Sequence, residues 1–277
     1  MSFQVLITNQ APEDHFPNLR AFASLRFADE PNQLMPREAV LGLVSEVDAI
    51  INQGELRVDE ALLQAAPKLR IVANVAIGTD NLDLDAMSAR GVWATNAPEA
   101  FTDSTADCAM ALLLAVTRKV VAGDQYLRTG AWPNDGLQPV LWEGPLLSGM
   151  TLGIVGFGKI GQAVAKRAEA FGMRVLYHRR HADDGAGYRA LTELLKEADV
   201  VSLHTPLTEA THHLIDAKAL ATMKRGAYLI NLARGAVVDE AALVKALSSG
   251  HLAGAGLDVF RRSRRCRQRC STCQMWC

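Results

Sequence analysis

Residues 151 to 161 read Thr-Leu-Gly-Ile-Val-Gly-Phe-Gly-Lys-Ile-Gly, an apolar run leading directly into Gly156, Gly158 and Gly161 at G-x-G-x-x-G spacing. Glycines so placed suit the holding of a dinucleotide pyrophosphate. The first permits a tight turn, the second lets backbone approach the phosphates, and the third lets helix and strand pack closely. A helix expected from about Lys159 to Phe171 offers free N–H groups and a positive dipole end to the anion. Glycines at this spacing also occur in ordinary turns, so context decides. Here a strand precedes and an amphipathic helix follows, with Ile160, Val164, Ala168 and Phe171 on one stripe; a second strand at 173–177 completes a βαβ unit.

Such a loop needs a sheet to carry it. Strand-like runs at 4–8, 48–51, 69–74 and 91–95 alternate with stretches of helical period. The alternation resumes at 174–177, 199–204, 227–231 and 254–258, with a helix at 239–248. This pattern predicts parallel sheets, hence an α/β fold of two doubly wound units. The boundary is expected near 97–120, where Ala97-Pro98 closes the first unit and an apolar helix begins around Ser104. Apolar nearly all round, that helix is expected in a domain junction or a subunit interface.

With 277 residues and 49% hydrophobic content, the chain can bury cores for two domains. No apolar run reaches membrane-spanning length and the N-terminus reads as a strand, so a cytoplasmic chain without a membrane partner is expected. Net charge is −1, yet residues 261–277 hold six of the 29 basic residues, none of the acidic ones and four of the five cysteines. The first 260 residues are therefore acidic, with Cys108 their single cysteine, as suits reducing cytosol.

Six segments in order carry a resemblance: Asn74-Val-Ala-Ile-Gly-Thr-Asp-Asn-Leu-Asp83, Arg90-Gly-Val-Trp-Ala-Thr-Asn96, the glycine loop, Leu203-His-Thr-Pro-Leu-Thr208, Leu229-Ile-Asn-Leu-Ala-Arg-Gly235 and Gly254-Ala-Gly-Leu-Asp-Val-Phe260. Residues 1–260 resemble the D-isomer-specific 2-hydroxyacid dehydrogenases. The resemblance implies a flavodoxin-like substrate domain (1–100), a Rossmann cofactor domain (101–260) and a homodimer. It implies hydride transfer across a cleft between a nicotinamide cofactor and a small 2-hydroxy or 2-oxo acid, with hydroxypyruvate or glyoxylate expected as the acid reduced.

Site roles follow from the same resemblance. The backbone N–H groups of Ile77 and Gly78 are expected to hold the substrate carboxylate. Arg234 ends a strand at the carboxyl edge of the sheet, where ligands sit in open α/β folds, and its guanidinium can grip carboxylate and carbonyl together. Cofactor contacts carried over are Thr105, Phe157, Lys159 and Ile160 beside the three glycines, Thr205, Pro206 and Asp258. His204 reads as a packed histidine in the cofactor wall rather than a base. NAD-specific relatives place an Asp at the end of the second strand, where this chain has Arg179 followed by Arg180. Guanidinium groups attract a 2′-phosphate, so NADP(H) is expected in preference to NAD(H).

After Phe260 the pattern breaks. Relatives continue with Glu-x-Glu-Pro, a strand and a Pro-His pair before a helix returns to the first domain; this chain reads Arg261-Arg-Ser-Arg-Arg-Cys, with Ser263 at the orienting glutamate's position. The proton-donating histidine is expected beyond residue 277. Because Met275 and Trp276 have unique codons, stepping the frame back one base turns Gln-Met-Trp-Cys into Pro-Asn (or Asp)-Val-Val. GC-rich codons before it give Glu-Ala-Glu-Pro-Ala-Val-Pro-Pro-Ala-Leu-Leu-Asp-Leu, the family's own continuation. A one-base loss after Phe260 is thus expected, making 261–277 an out-of-frame, disordered tail. The closing strand and helix are then missing, the cofactor sheet keeps an unpaired edge, and activity is impaired. A cysteine-rich zinc site gripping nucleic acid is set aside, since C-x3-C-x2-C-x3-C fits a zinc knuckle poorly and no histidine is near. No metal and no nucleic acid are expected. The alternative function is a non-catalytic dinucleotide-binding remnant.

Overall fold

A computed structural model describes residues 2–29, 33–54, 56–136, 138–260 and 275–276. The chain divides into two compact units, Met1–Phe101 and Thr102–Cys277. In the first, β1 (Phe3–Ile7), α1 (Pro17–Arg20), β2 (Ala23–Arg26), α2 (Arg37–Leu43), β3 (Ala49–Asn52), α3 (Glu60–Ala65), β4 (Ile71–Asn74), α4 (Leu84–Ala89) and β5 (Trp93–Thr95) follow one another. The strands are parallel in the order β2-β1-β3-β4-β5, the flavodoxin-like arrangement. Leu6, Ile50 and Val72 from the strands pack against Val40, Leu62, Leu63 and Met87 from the helices. Asp59 and Asp83 start α3 and α4 by accepting from the N–H groups of Leu62 (3.1 Å) and Ala86 (3.0 Å). Strand β2 escaped the sequence reading: Ala-Ser-Leu-Arg is short, lies at the sheet edge and carries no apolar run.

The second unit opens with α5 (Thr102–Thr117), α6 (Val120–Arg128), α7 (Trp132–Asp135) and α8 (Pro139–Trp142). It continues through β6 (Thr151–Val155), α9 (Lys159–Ala170), β7 (Arg174–His178), α10 (Leu191–Glu197), β8 (Val200–Leu203), α11 (Ala217–Thr222), β9 (Ala227–Asn231), α12 (Glu240–Ser248), β10 (Leu252–Leu257) and β11 (Met275–Trp276). All strands are parallel, in the order β11-β10-β9-β8-β6-β7. Every residue of β6, β8 and β9 is buried, as expected for strands covered on both faces. Leu152, Ile154 and Ile230 face α5 and α9, while Val155, Val201, Leu203 and Leu229 face α10 to α12. The chain turns from β6 to β7 on one side and to β8 on the other, so the end of β6 is the topological switch point.

Two expectations need correction. The outer edge of β10 is paired: Ala255 and Gly256 align with Met275 and Trp276 of β11. Ladder bonds come from backbone, so this short extended segment pairs with the edge whatever its coding frame. The remainder of the tail, 261–274 and 277, lies outside the described residues. Helix α5 is also less enclosed than its composition implied. Ala106, Ala109, Met110, Leu113 and Val116 form a buried stripe within the second unit's own core, while Asp103, Ser104 and Asp107 are exposed.

Candidate active site

The glycine loop is bonded to both neighbouring strands. Gly156 N–H donates to His178 O (2.9 Å) at the end of β7, and His204 N–H donates to Val155 O (2.8 Å) at the end of β8. Gly156 takes φ +99°, and a Cβ there would stand 2.6 Å from His204 C and O; a Cβ on Gly161 would stand 2.2 Å from Gly156 O. At Gly158 a Cβ would meet nothing within 4 Å. The free side of the loop therefore lies at the N-cap of α9. Asp216 and Asp239 cap α11 and α12 with their carboxylates, whereas α9 begins at Gly158 without a side-chain cap. A helix N-terminus without a side-chain cap suits an anion. The residues present fit a dinucleotide pyrophosphate.

The wall beside the loop is His204, Thr205 and Pro206. Thr205 Oγ1 is buried without a hydrogen-bond partner among the described residues, as is His204 Nδ1. His204 Nε2 lies 2.8 Å from Ser202 Oγ, and burial pushes the imidazole pKa down to about 4. It is neutral near pH 7 and structural. An unfolded histidine protonates near 6.5, so the stabilisation is complete above that pH and is lost as acidification proceeds toward 4. We expect a loss on the order of 3 kcal/mol over that window, read by denaturant melts. His204→Gln should flatten this slope; an unchanged slope would contradict the assignment.

Arg179 immediately follows β7 and His178, so it neighbours the loop. Its Nη1 lies 3.2 Å from Asp183 Oδ2, and Arg180 is exposed beside it. Phe157 stacks on Tyr177 with ring centroids 3.9 Å apart. Lys159 is exposed on the first turn of α9 and Ile160 is half-buried against the core. Thr105 stands on α5 between Asp103 and Asp107, which pair with Arg167 farther along α9; among the described residues it makes no hydrogen bond to the glycine loop.

At the ends of β9 and β10 the sheet carries Arg234 and Asp258. Asn231, fully buried, ties down the turn that presents Arg234: its Nδ2 donates to Arg234 O (3.1 Å) and its Oδ1 accepts from Ala233 N–H (3.0 Å). Arg234 Nη1 donates to Ala233 O at 2.8 Å. Exposed Asp258 donates its N–H to Asn231 O (3.0 Å), and burial, with the Asp258 charge adding, pushes the Cys108 thiol up.

The first unit supplies a separate feature. Asn52 and Asn74 end adjacent strands in register, and Asn52 Nδ2 donates to Asn74 Oδ1 (3.0 Å). Asn74 Nδ2 donates to Gly78 O (2.8 Å), and Asn96 Nδ2 to Ile77 O (2.8 Å). The carbonyls of this turn are thus fastened, while the N–H groups of Ile77 and Gly78 donate to nothing among the described residues. The supporting asparagines went unassigned in the sequence. Their signal was a pair of neighbouring strands that both end in Asn.

A flavodoxin-like unit with fastened, amide-presenting turn residues, and a second doubly wound unit with a pyrophosphate loop at its switch point, define a dinucleotide-dependent α/β enzyme. The family model for "D-isomer specific 2-hydroxyacid dehydrogenase, NAD binding domain" matches residues 110–271. A glyoxylate reductase of Thermococcus litoralis is 47% identical over 268 residues, covering 94% of this chain and 81% of that protein. A crystal structure of a Thermus thermophilus protein superposes with TM-score 0.85 at 47% identity, covering 93% of this chain and 82% of the other. A Sinorhizobium meliloti NADPH-dependent glyoxylate/hydroxypyruvate reductase, in complex with NADP and malonate, gives TM-score 0.81 at 35% identity, with coverages of 95% and 81%. The chain belongs to the D-isomer-specific 2-hydroxyacid dehydrogenases, oxidoreductases that transfer hydride between a nicotinamide cofactor and a 2-oxo or 2-hydroxy acid.

Proposed function

We propose that this protein is an NADP(H)-preferring reductase of a small 2-oxo acid, glyoxylate or hydroxypyruvate. The observation that carries the cofactor preference is Arg179, followed by Arg180, directly after β7, where a carboxylate would repel a 2′-phosphate. When bound, the reduced nicotinamide supplies the hydride. Gly156, Phe157, Gly158, Lys159, Ile160 and Gly161 hold the pyrophosphate, with Thr105, Thr205, Pro206 and Asp258 as further contacts. Residues 101–260 form the cofactor domain. Residues 1–100 form the substrate domain, in which the amides of Ile77 and Gly78 orient the carboxylate. Arg234 is the catalytic cation, gripping the carboxylate and polarising the carbonyl. The lone Cys108 among the first 260 residues supports a cytoplasmic setting.

Fluorescence titration with NADPH and NADH tests the preference. Arg179→Asp should reverse the ratio of the two dissociation constants, and an unchanged ratio would sink the assignment.

Residues 261–277 belong to this proposal too. Read one base back with GC-rich codons they can encode the family's Glu-x-Glu-Pro continuation, and we take them as out of frame. Ser263 stands where the orienting glutamate belongs and cannot position the proton-donating histidine, so turnover should fall by up to about 10²- to 10⁴-fold, the range that a positioned acid contributes. That substitution also favours the second reading, a cofactor-binding remnant without activity. NADPH binding with no detectable turnover in the chain that carries Ser263 would select it.

The assembly we propose is a homodimer. Val120, Leu127, Trp132, Val140, Leu141 and Leu146 are all exposed within one stretch of the second unit, Val140 at 85% and Leu146 at 72%. So many exposed apolar side chains within one stretch of chain suit a subunit contact. Light scattering should report a dimer and, for Val140→Asp/Leu146→Asp, a monomer; a monomeric unaltered chain would contradict it.

A further inference from the structure

Arg179 has a counter-ion that is itself firmly built in. Asp183 Oδ1 accepts from Tyr177 Oη at 2.6 Å and from Gly185 N–H at 2.9 Å, which turns Oδ2 toward Arg179 Nη1 at 3.2 Å. The phenol is fixed in turn. Tyr177 stacks on Phe157 of the glycine loop, and a Cβ on Gly185 would stand 2.0 Å from its Oη. The segment folds back along β7, where Tyr177 N–H donates to Gly187 O (2.8 Å) and Arg189 N–H to Tyr177 O (2.9 Å). Asp183 is half-buried, whereas its neighbour Asp184 is exposed. The donors to the carboxylate hold its pKa below the usual range, so it remains an anion at neutral pH.

We propose that Asp183 is a specificity-determining residue: a built-in anion that competes with the cofactor's 2′-phosphate for Arg179, moderates the preference for NADP(H) and keeps NAD(H) usable. This rests on reading Arg179 as the 2′-phosphate partner. A phosphate approaching Arg179 must share the guanidinium with a carboxylate it repels, while a 2′-hydroxyl meets no such repulsion. The chain from Phe157 through Tyr177 to Asp183 ties the discriminating charge to the loop that holds the pyrophosphate.

Asp183→Asn isolates the charge, because the amide oxygen still accepts from Tyr177 and Gly185. Fluorescence titration of the full chain reads the effect without turnover. The NADPH dissociation constant should fall about ten-fold in this variant, and that for NADH should stay within about two-fold. Asp183→Ser, which keeps an acceptor for the phenol, carries the same expectation should the amide variant fold poorly. Asp184→Asn removes an equal charge one residue away and should move neither constant. An NADPH constant that is unchanged or higher in Asp183→Asn overturns the proposal, and so does equal tightening in Asp184→Asn. The Arg179→Asp titration separates the two levels. An unmoved ratio there overturns the cofactor assignment itself, whereas a shifted ratio beside an unmoved Asp183→Asn overturns the role of Asp183 alone.

Discussion

Replacing Arg234 with alanine in the frame-restored chain should lower kcat/KM for glyoxylate by about 10²- to 10³-fold, while the NADPH dissociation constant barely moves. The magnitude follows from two charge-assisted hydrogen bonds, each contributing about 1.5–3 kcal/mol, partly offset by water entering the vacated space. Arg234→Lys should recover only part of the loss, since an ammonium cannot present the planar fork that spans carboxylate and carbonyl. The fold should tolerate both changes. The turn is held by Asn231 through the backbone of residues 233 and 234. A melting temperature that drops with the activity would show a structural role instead. In the chain as it stands, weaker binding of oxalate in the presence of NADPH gives a readout free of turnover.

The second large effect belongs to the loop, and two substitutions divide it. Gly156→Val places a β-branched residue at φ +99° with its Cβ against the backbone of His204, which cannot step aside without breaking the bond to Val155. Strain and displacement together should cost on the order of 3–4 kcal/mol, lower the melting temperature by roughly 10 °C and abolish cofactor binding. Gly158→Ala is the opposite case. Its Cβ meets nothing within 4 Å in the protein alone, so stability should hold within about 1 kcal/mol, the small entropic and propensity terms of this exchange. NADPH affinity should nevertheless fall at least ten-fold if, as proposed, phosphate oxygens use that space to approach the N-terminus of α9. Unimpaired NADPH binding by Gly158→Ala would show that the loop does not hold the pyrophosphate.

Much of this was legible because parallel sheets announce themselves. The strands of the second unit are buried on both faces, so Leu-Gly-Ile-Val and Tyr-Leu-Ile-Asn read as continuous apolar runs, and the helices between them show their stripes. Strand β2 gave no such signal, since an edge strand needs only one apolar face and Ala-Ser-Leu-Arg barely has one. The edge beyond β10 was misjudged for a related reason: pairing is a backbone property, and Met275 and Trp276 extend as readily as the residues expected there. At the site, residues proposed to act through their own chemistry, such as the loop glycines and Arg234, carry a signal in the sequence. Residues that act by fastening others were hidden. Asn52, Asn74, Asn96 and Asn231 matter through partners 2 to 22 positions away, or across strands, and only the folded chain brings those together. Asp183 is the sharpest instance. Four residues downstream it reads as part of a charged turn, yet it pairs with the guanidinium on which the proposed cofactor preference rests.

The most direct test is to restore one base after the codon for Phe260 and follow loss of reduced nicotinamide absorbance with glyoxylate and hydroxypyruvate, supplying NADPH or NADH. The restored chain should oxidise NADPH with at least one of the two acids at a higher kcat/KM than NADH. The chain carrying residues 261–277 as they stand should bind NADPH yet turn over at least about 100-fold more slowly. A restored chain that binds NADPH and reduces neither acid would contradict the assignment of this protein as a 2-oxo acid reductase.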